Sequence, residues 1–228
     1  YVFIRMIFEK MYFREIAQVD EIYTNSTNLQ NAIRKYLGRE SQIIYPPVDT
    51  ATFIPTTEKG DYYISFSKLS SLKRVARTVE VFREMPDKKL LVIYGQNDPQ
   101  KEEIMNLGER YANITFLTLT DNNELPKYIA GAIATIFIAK NEDFGMVALE
   151  SMSCGVPVIG VQEGGIQETV IDGETGILIS AEATKTELIS VVQKLDRETA
   201  LIMQDACIKR AKEFSLENFE KIVKEKFL

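Results

Sequence analysis

Residues 140–160, KNEDFGMVALESMSCGVPVIG, pass from the end of one apolar strand through a polar turn into a helix and out into another strand. The turn is Asn141-Glu142-Asp143, and Phe144-Gly145 leads into a helix over Val147–Cys154. Gly145 lacks a Cβ, so a ligand can approach its backbone closely. The N–H groups at a helix start have no intrahelical acceptor and carry the positive end of the helix dipole, which suits a phosphate or sugar oxygen. Glu142 lies in the turn and Glu150 one to two turns into the helix. Helix capping alone would also account for Glu142 and Asp143, since carboxylates are favoured at helix starts.

Outward from this unit the pattern is regular. Tyr62–Phe66, Leu90–Tyr94, Ile114–Leu117 and Ala132–Ala139 read as strands upstream, and Val156–Val161 and Ile177–Ile179 downstream. Helices are expected along Val75, Val79, Phe82 and Met85, over 99–111, over 122–131, and along Leu188, Val191, Val192 and Leu195. Leu90–Tyr94 is apolar without interruption, as for a strand buried on both faces. This alternation predicts an α/β fold with a parallel sheet covered by helices on both faces, which binds ligands at the carboxyl ends of its strands.

Nearer the start, short strands at 19–25 and Ile43-Ile44-Tyr45 flank a helix capped by Ser26 or Thr27 and stopped by Gly38. Tyr45-Pro46-Pro47-Val48 and Pro55 make a stiff extended connection. The first residues read as an amphipathic helix with Val2, Met6, Ile7, Met11 and Tyr12 near helical spacing. Its expected partner is a part of the protein upstream of Tyr1; a membrane surface is the alternative. A last amphipathic helix is expected after a Ser215 cap, with Phe219, Ile222, Val223 and Phe227 on one face.

Composition narrows the chemistry. The 228 residues carry a formal net charge of −6, which disfavours nucleic-acid binding through a broad basic surface. There is no histidine, so Ser-His-Asp and Cys-His nucleophiles, histidine bases and His-ligated metals are excluded. The same absence sets aside a protein-kinase reading of Asp143-Phe144-Gly145, because the kinase catalytic loop needs His-Arg-Asp. Two cysteines, Cys154 and Cys207, are too few for a disulfide scaffold. No metal site is expected, as the chain also lacks Asp-x-Asp and any carboxylate cluster at ligand spacing. The longest apolar runs are strand-length.

Glu142, Phe144-Gly145, Glu150 and then Ser151-Met152-Ser153-Cys154-Gly155-Val156-Pro157-Val158-Ile159 resemble, without a gap, the donor-binding motif of the large retaining GT-B glycosyltransferase family marked by Glu, seven residues, Glu, which includes many mannosyltransferases. Asn25-Ser26, Tyr45-Pro46-Pro47-Val48-Asp49, Ser67-Lys68-Leu69 with Lys73-Arg74, Glu163-Gly164-Gly165-Ile166-Gln167-Glu168, and Asp172-Gly173-Glu174-Thr175-Gly176 resemble other segments of that family, in order. The usual Gly-Arg of the third is Ser67-Lys68 here, a point charge in place of a bidentate fork.

The resemblance implies a Rossmann-like GT-B architecture. Residues 1–45 would end the N-terminal acceptor domain, 46–59 link, 60–214 form the nucleotide-sugar domain, and 215–228 cross back. It implies hexose transfer from a nucleotide-diphosphate sugar with retention, with GDP-mannose favoured over a UDP-sugar and no cofactor. A non-catalytic sugar-nucleotide binding module and a sugar-nucleotide epimerase of GT-B type are the alternatives. Glu142, Lys73 and Lys68 would be catalytic, with both lysines reaching one diphosphate. Glu150 would bind the ribose, and backbone at Phe144, Gly145, Met146, Gly164 and Gly165 would face sugar or phosphate. Expected partners are the donor, a carbohydrate or lipid-linked acceptor, and the missing N-terminal domain of the same protein. The expected location is the cytoplasm, with peripheral contact at the inner face of a membrane.

Overall fold

The structure is a computed structural model and describes residues 2–228. In chain order it comprises α1 (Val2–Ile16), β1 (Tyr23–Thr24), α2 (Thr27–Leu37), β2 (Gln42–Ile43), β3 (Tyr62–Ser65), α3 (Val75–Phe82), β4 (Lys89–Ile93), α4 (Lys101–Gly108) and β5 (Ile114–Leu117). There follow α5 (Leu125–Ala130), β6 (Thr135–Phe137), α6 (Met146–Ser153), β7 (Val158–Val161), α7 (Ile166–Thr169), β8 (Gly176–Ile179), α8 (Lys185–Lys194), α9 (Arg197–Glu213) and α10 (Leu216–Phe227).

The main sheet has six parallel strands in the order β5-β4-β3-β6-β7-β8. The chain builds outward from β3 to β5, then returns to lay β6 against the other side of β3, with Ile64 opposite Thr135. The connections leaving β3 and β6 therefore diverge, and the crevice between them lies at the carboxyl ends of the strands. β1 and β2 form a separate parallel pair, Tyr23 opposite Gln42.

Alternation along the strands fills both faces, as the apolar run of β4 implies. Leu90 and Val92 enter one core with Tyr63, Val79 and Phe82, whereas Leu91 and Ile93 enter the other with Ile64, Ile129 and Val156. The buried Tyr63 hydroxyl donates to the carbonyls of Val192 and Leu195 (2.9 and 3.0 Å), which ties α8 to the sheet without leaving a polar atom unpaired. Ser151 Oγ bonds Thr135 Oγ1 (2.6 Å) and Val156 O (3.0 Å), fixing α6 between β6 and β7.

Four helices depart from the sequence reading, the shortest being α7 within a stretch read as a loop. α9 is not foreshadowed: its buried face is Ala200, Met203, Cys207 and Ala211, at helical spacing but with three of the four side chains small, which gives little hydrophobic contrast. Cys154 and Cys207 are both buried, and burial pushes each thiol up to about 12. Among the described side chains α1 has no single apolar face; those of Val2 and Ile7, expected on it, lie outside the described ones. Ile4, Phe8, Met11 and Tyr12 project from one side and Met6 and Phe13 from the opposite side, all exposed. A helix lying on a membrane needs one apolar face, whereas one that is apolar on opposite sides is normally enclosed by protein. In α10 only Phe219 and Val223 of the expected face are half-buried, and Phe227 meets the Tyr23 ring edge-on at 5.0 Å. Among the described residues no helix is long and apolar enough to cross a membrane.

Candidate functional site

The segment after β3 is held from both sides. Leu69 is fully buried, and its N–H donates to Asp98 Oδ2 (2.9 Å), an oxygen that also accepts from Gly95 N (3.0 Å). Lys140 N donates to Leu72 O (2.7 Å), joining the segment to the one after β6. This clamping brings Lys73, at the end of a 3-10 turn over Ser71–Lys73, to the turn before α6. Lys73 Nζ lies 2.5 Å from Glu142 Oε2, with side chains 27% and 18% exposed, and 5.3 Å from the centre of the Phe137 ring. The two groups are thus paired at the crevice, where loss of water strengthens their attraction.

A second pair stands beside the first. Arg74 Nη1 lies 3.2 Å from Glu163 Oε2, and Glu163 Oε1 accepts from Asn141 N (3.0 Å). Arg74 and Asn141 both have positive φ (52° and 47°). Asn tolerates that conformation, but for arginine it costs about 1–2 kcal/mol, which the Glu163 contact helps offset. Glu163 thereby fixes the turns on both sides of the crevice.

Gly145, at φ 96°, caps α6. Among the described residues no acceptor stands against the N–H groups of Phe144, Gly145 or Met146, so they remain available at the helix start. The Phe144 ring is committed elsewhere: it is buried, stacked on Tyr45 at 5.3 Å. Gly164 and Gly165 answer to the protein's own backbone. A Cβ on Gly164 would collide with the Glu142 backbone and one on Gly165 with the Asp143 carbonyl, and Gly165 N donates to Glu142 O (2.7 Å). Their small size lets this loop press against the Glu142 turn.

Glu150 is mostly buried on α6, and loss of water around the carboxyl raises its pKa from the ordinary 4.5 to about 7. A group hydrogen-bonding to the carboxylate would relieve that cost. Lys68 lines a cleft of about 610 Å³ with residues of the segments after β4 and β5, among them Tyr94, Gly95, Asp98, Thr118 and Leu119. So Lys73 is brought to Glu142, while Lys68 stands in the adjoining cleft. Another cavity, about 740 Å³, opens at the other end of the sheet beneath residues 54–60 and contains none of the expected site residues. Among the described residues no group of three or more Cys, Asp or Glu could hold a metal ion.

Sequence reasoning passed over Arg74, Glu163 and Asp98 as site-forming residues. Arg74 and Glu163 stand inside segments that it quoted, but nothing local reveals their partners. For Asp98 the signal was its position three residues beyond Gly95, at the end of an apolar strand.

A family model described as glycosyl transferases group 1 matches residues 50–214. The N-acetyl-alpha-D-glucosaminyl L-malate synthase of Bacillus anthracis is 30% identical, over 91% of this chain and 58% of that protein. The D-inositol 3-phosphate glycosyltransferase of Segniliparus rotundus is 25% identical, over 82% of this chain and 47% of that one. The chain spans about half the length of these curated relatives. Among solved structures, Anabaena HepE in complex with UDP and glucose superposes with a TM-score of 0.79 at 21% identity, covering 91% of this chain and 62% of that one; at this identity the likeness speaks for the fold. With a family model spanning most of its length, the chain belongs to the group 1 glycosyl transferases.

Proposed function

We propose that this chain is the donor-binding part of a retaining glycosyltransferase that moves a hexose from a uridine-diphosphate sugar to an acceptor hydroxyl. Residues 60–214 bind the donor, 1–45 belong to the acceptor side, 46–59 join the two, and 215–228 return to the acceptor side. The observation that carries this reading is the Lys73–Glu142 pair at the crevice, beside the open N–H groups at the start of α6. A bound diphosphate takes Lys73 and those N–H groups; Glu142, released, accepts hydrogen bonds from sugar hydroxyls. Glu150, further along α6, accepts from the ribose, and the neighbouring cleft with Lys68 receives the base end.

In the reaction the bond from the anomeric carbon to the phosphate oxygen breaks while the acceptor oxygen bonds on the same face. The acceptor proton passes to the leaving phosphate. Charge grows on the diphosphate as the bond breaks, so Lys73 and the helix start stabilise the transition state more than the ground state.

The mannosyl and GDP preference implied by the sequence resemblance finds no support in the names of the relatives. UDP is favoured because a neighbour of the same fold is described with UDP and glucose bound. A thermal-shift panel of UDP, UDP-glucose, UDP-N-acetylglucosamine, GDP and GDP-mannose tests this. A ligand at a hundred times its Kd adds about 2.7 kcal/mol, a plain rise in Tm. The UDP compounds are expected to stabilise. Stabilisation by GDP compounds alone would reverse the base, and none by any would overturn the donor reading.

A further inference from the structure

The N-terminus of α2 is closed by side chains from distant parts of the chain. Ser26 Oγ accepts from Leu29 N (3.1 Å), and Ser26 O accepts from Gln30 N (2.9 Å). The two remaining N–H groups of the first turn, on Thr27 and Asn28, donate to Glu168 Oε2 and Oε1 at 2.8 and 3.1 Å. Glu168 Oε2 also accepts from Tyr45 OH (3.1 Å). One carboxylate thus takes three hydrogen bonds from residues that precede Pro46, at the end of a helix whose dipole favours a negative charge.

This contact reaches the crevice. Asn28 Nδ2 donates to the carbonyl of Glu142 (3.4 Å), which also accepts from Gly165 N (2.7 Å). Glu168 is itself fixed, because Arg210 on α9 donates to the Glu168 and Thr169 carbonyls (2.5 and 3.0 Å) while lying over the Phe214 ring.

We propose that Glu168 is a positioning residue: its carboxylate latches the N-terminus of α2, and the segment before Pro46 with it, onto the turn that carries Glu142. The consequence for catalysis rests on the donor reading above, because the latch registers the acceptor side on the carboxylate beside the transferred sugar. Among the described residues Glu168 has no hydrogen bond to Lys73 or Glu150, so its loss loosens α2 while leaving UDP binding in place.

The test is a pulsed spin-label distance measurement on the full chain, with nitroxides on Tyr36→Cys in α2 and Ile202→Cys in α9, positions 67% and 78% exposed. The native Cys154 and Cys207 are buried and escape labelling. The parent protein is expected to give one narrow distance and Glu168→Ala to lose it, with the Kd for UDP unchanged within about twofold because the Glu142 turn stays held by Gly165 N and UDP carries no transferred sugar for Glu142 to meet. Glu168→Gln keeps the shape but turns an amide NH2 toward an N–H donor, so it should lose the narrow distance as well. An unchanged distance in Glu168→Ala, or its restoration by Gln, would overturn the latch. Should Glu168→Ala fail to fold, Glu168→Gln with UDP binding as its folding control decides. Failure of the parent protein to bind UDP would count against the donor reading alone.

Discussion

Replacing Glu150 with glutamine should make the protein more stable at high pH and leave it unchanged at low pH. The folded-state pKa is about 7 against an ordinary 4.5, because burial penalises the charged carboxylate. The folded protein therefore holds a proton that the unfolded chain releases, and stability falls as pH rises from about 4.5 through about 7. Each pKa unit is worth about 1.4 kcal/mol, which sets a limit of about 3.5 kcal/mol; the carboxyl keeps some contact with water, and about 2 kcal/mol is the working figure. Glutamine has the shape of the protonated acid and does not ionise. Glu150→Gln should thus match the parent at pH 4.5 and exceed it at pH 8 by about 2 kcal/mol, roughly 4–8 °C in Tm for a protein of this size. Melting curves of both proteins from pH 4.5 to 8 read this directly. A difference in Tm that stays constant across that range would refute the buried-carboxyl argument. On the proposed ribose role the same residue links pH to the donor. Ribose hydroxyls favour the charged form, so affinity for UDP-glucose, whose diphosphate is a diester and stays ionised throughout, should rise from pH 5.5 to 8 in the parent and stay flat in Glu150→Gln.

On the proposed donor reading Lys73 is the cation that faces the leaving diphosphate, so in steady-state assays on the intact enzyme Lys73→Ala should lower turnover about tenfold to a hundredfold, more than it weakens donor binding, the range of one charge-assisted contact. Gly165→Ala would drive a Cβ into the Asp143 carbonyl; urea denaturation should show a loss of about 2 kcal/mol or more, with weaker UDP binding because the Glu142 turn moves. Adding chelator should leave UDP-glucose affinity unchanged by calorimetry if, as proposed, Lys73 and the α6 start supply the positive charge; a large loss would point to a metal-dependent site.

What could be read from the sequence was local. Glu142, Gly145 and Glu150 sit on one turn and one helix, so their spacing places them on a single unit, and the apolar run of β4 declares a strand buried on both faces. The contacts that assemble the crevice depend on strand order. Lys73 and Glu142 are 69 residues apart and Arg74 and Glu163 are 89, and these pairs meet because β6 returns beside β3; Glu168 and Thr27, 141 apart, meet where the segment of the separate β1–β2 pair lies against the loop after β7, and no local signal encodes either. α9 escaped notice because its core face is alanine, methionine and cysteine. Gly164 and Gly165 were recognisable as a tight approach, but what they approach is the chain's own backbone at Glu142 and Asp143.

A crystal structure of the protein with UDP bound tests the central claim most directly. The diphosphate should lie against Lys73 and the N–H groups of Gly145 and Met146, the ribose should donate to Glu150, and the Lys73–Glu142 pair should be opened. UDP seated instead in the large cavity beneath residues 54–60, or bound at the crevice with Lys73 still on Glu142 and Glu150 without a partner, would contradict it.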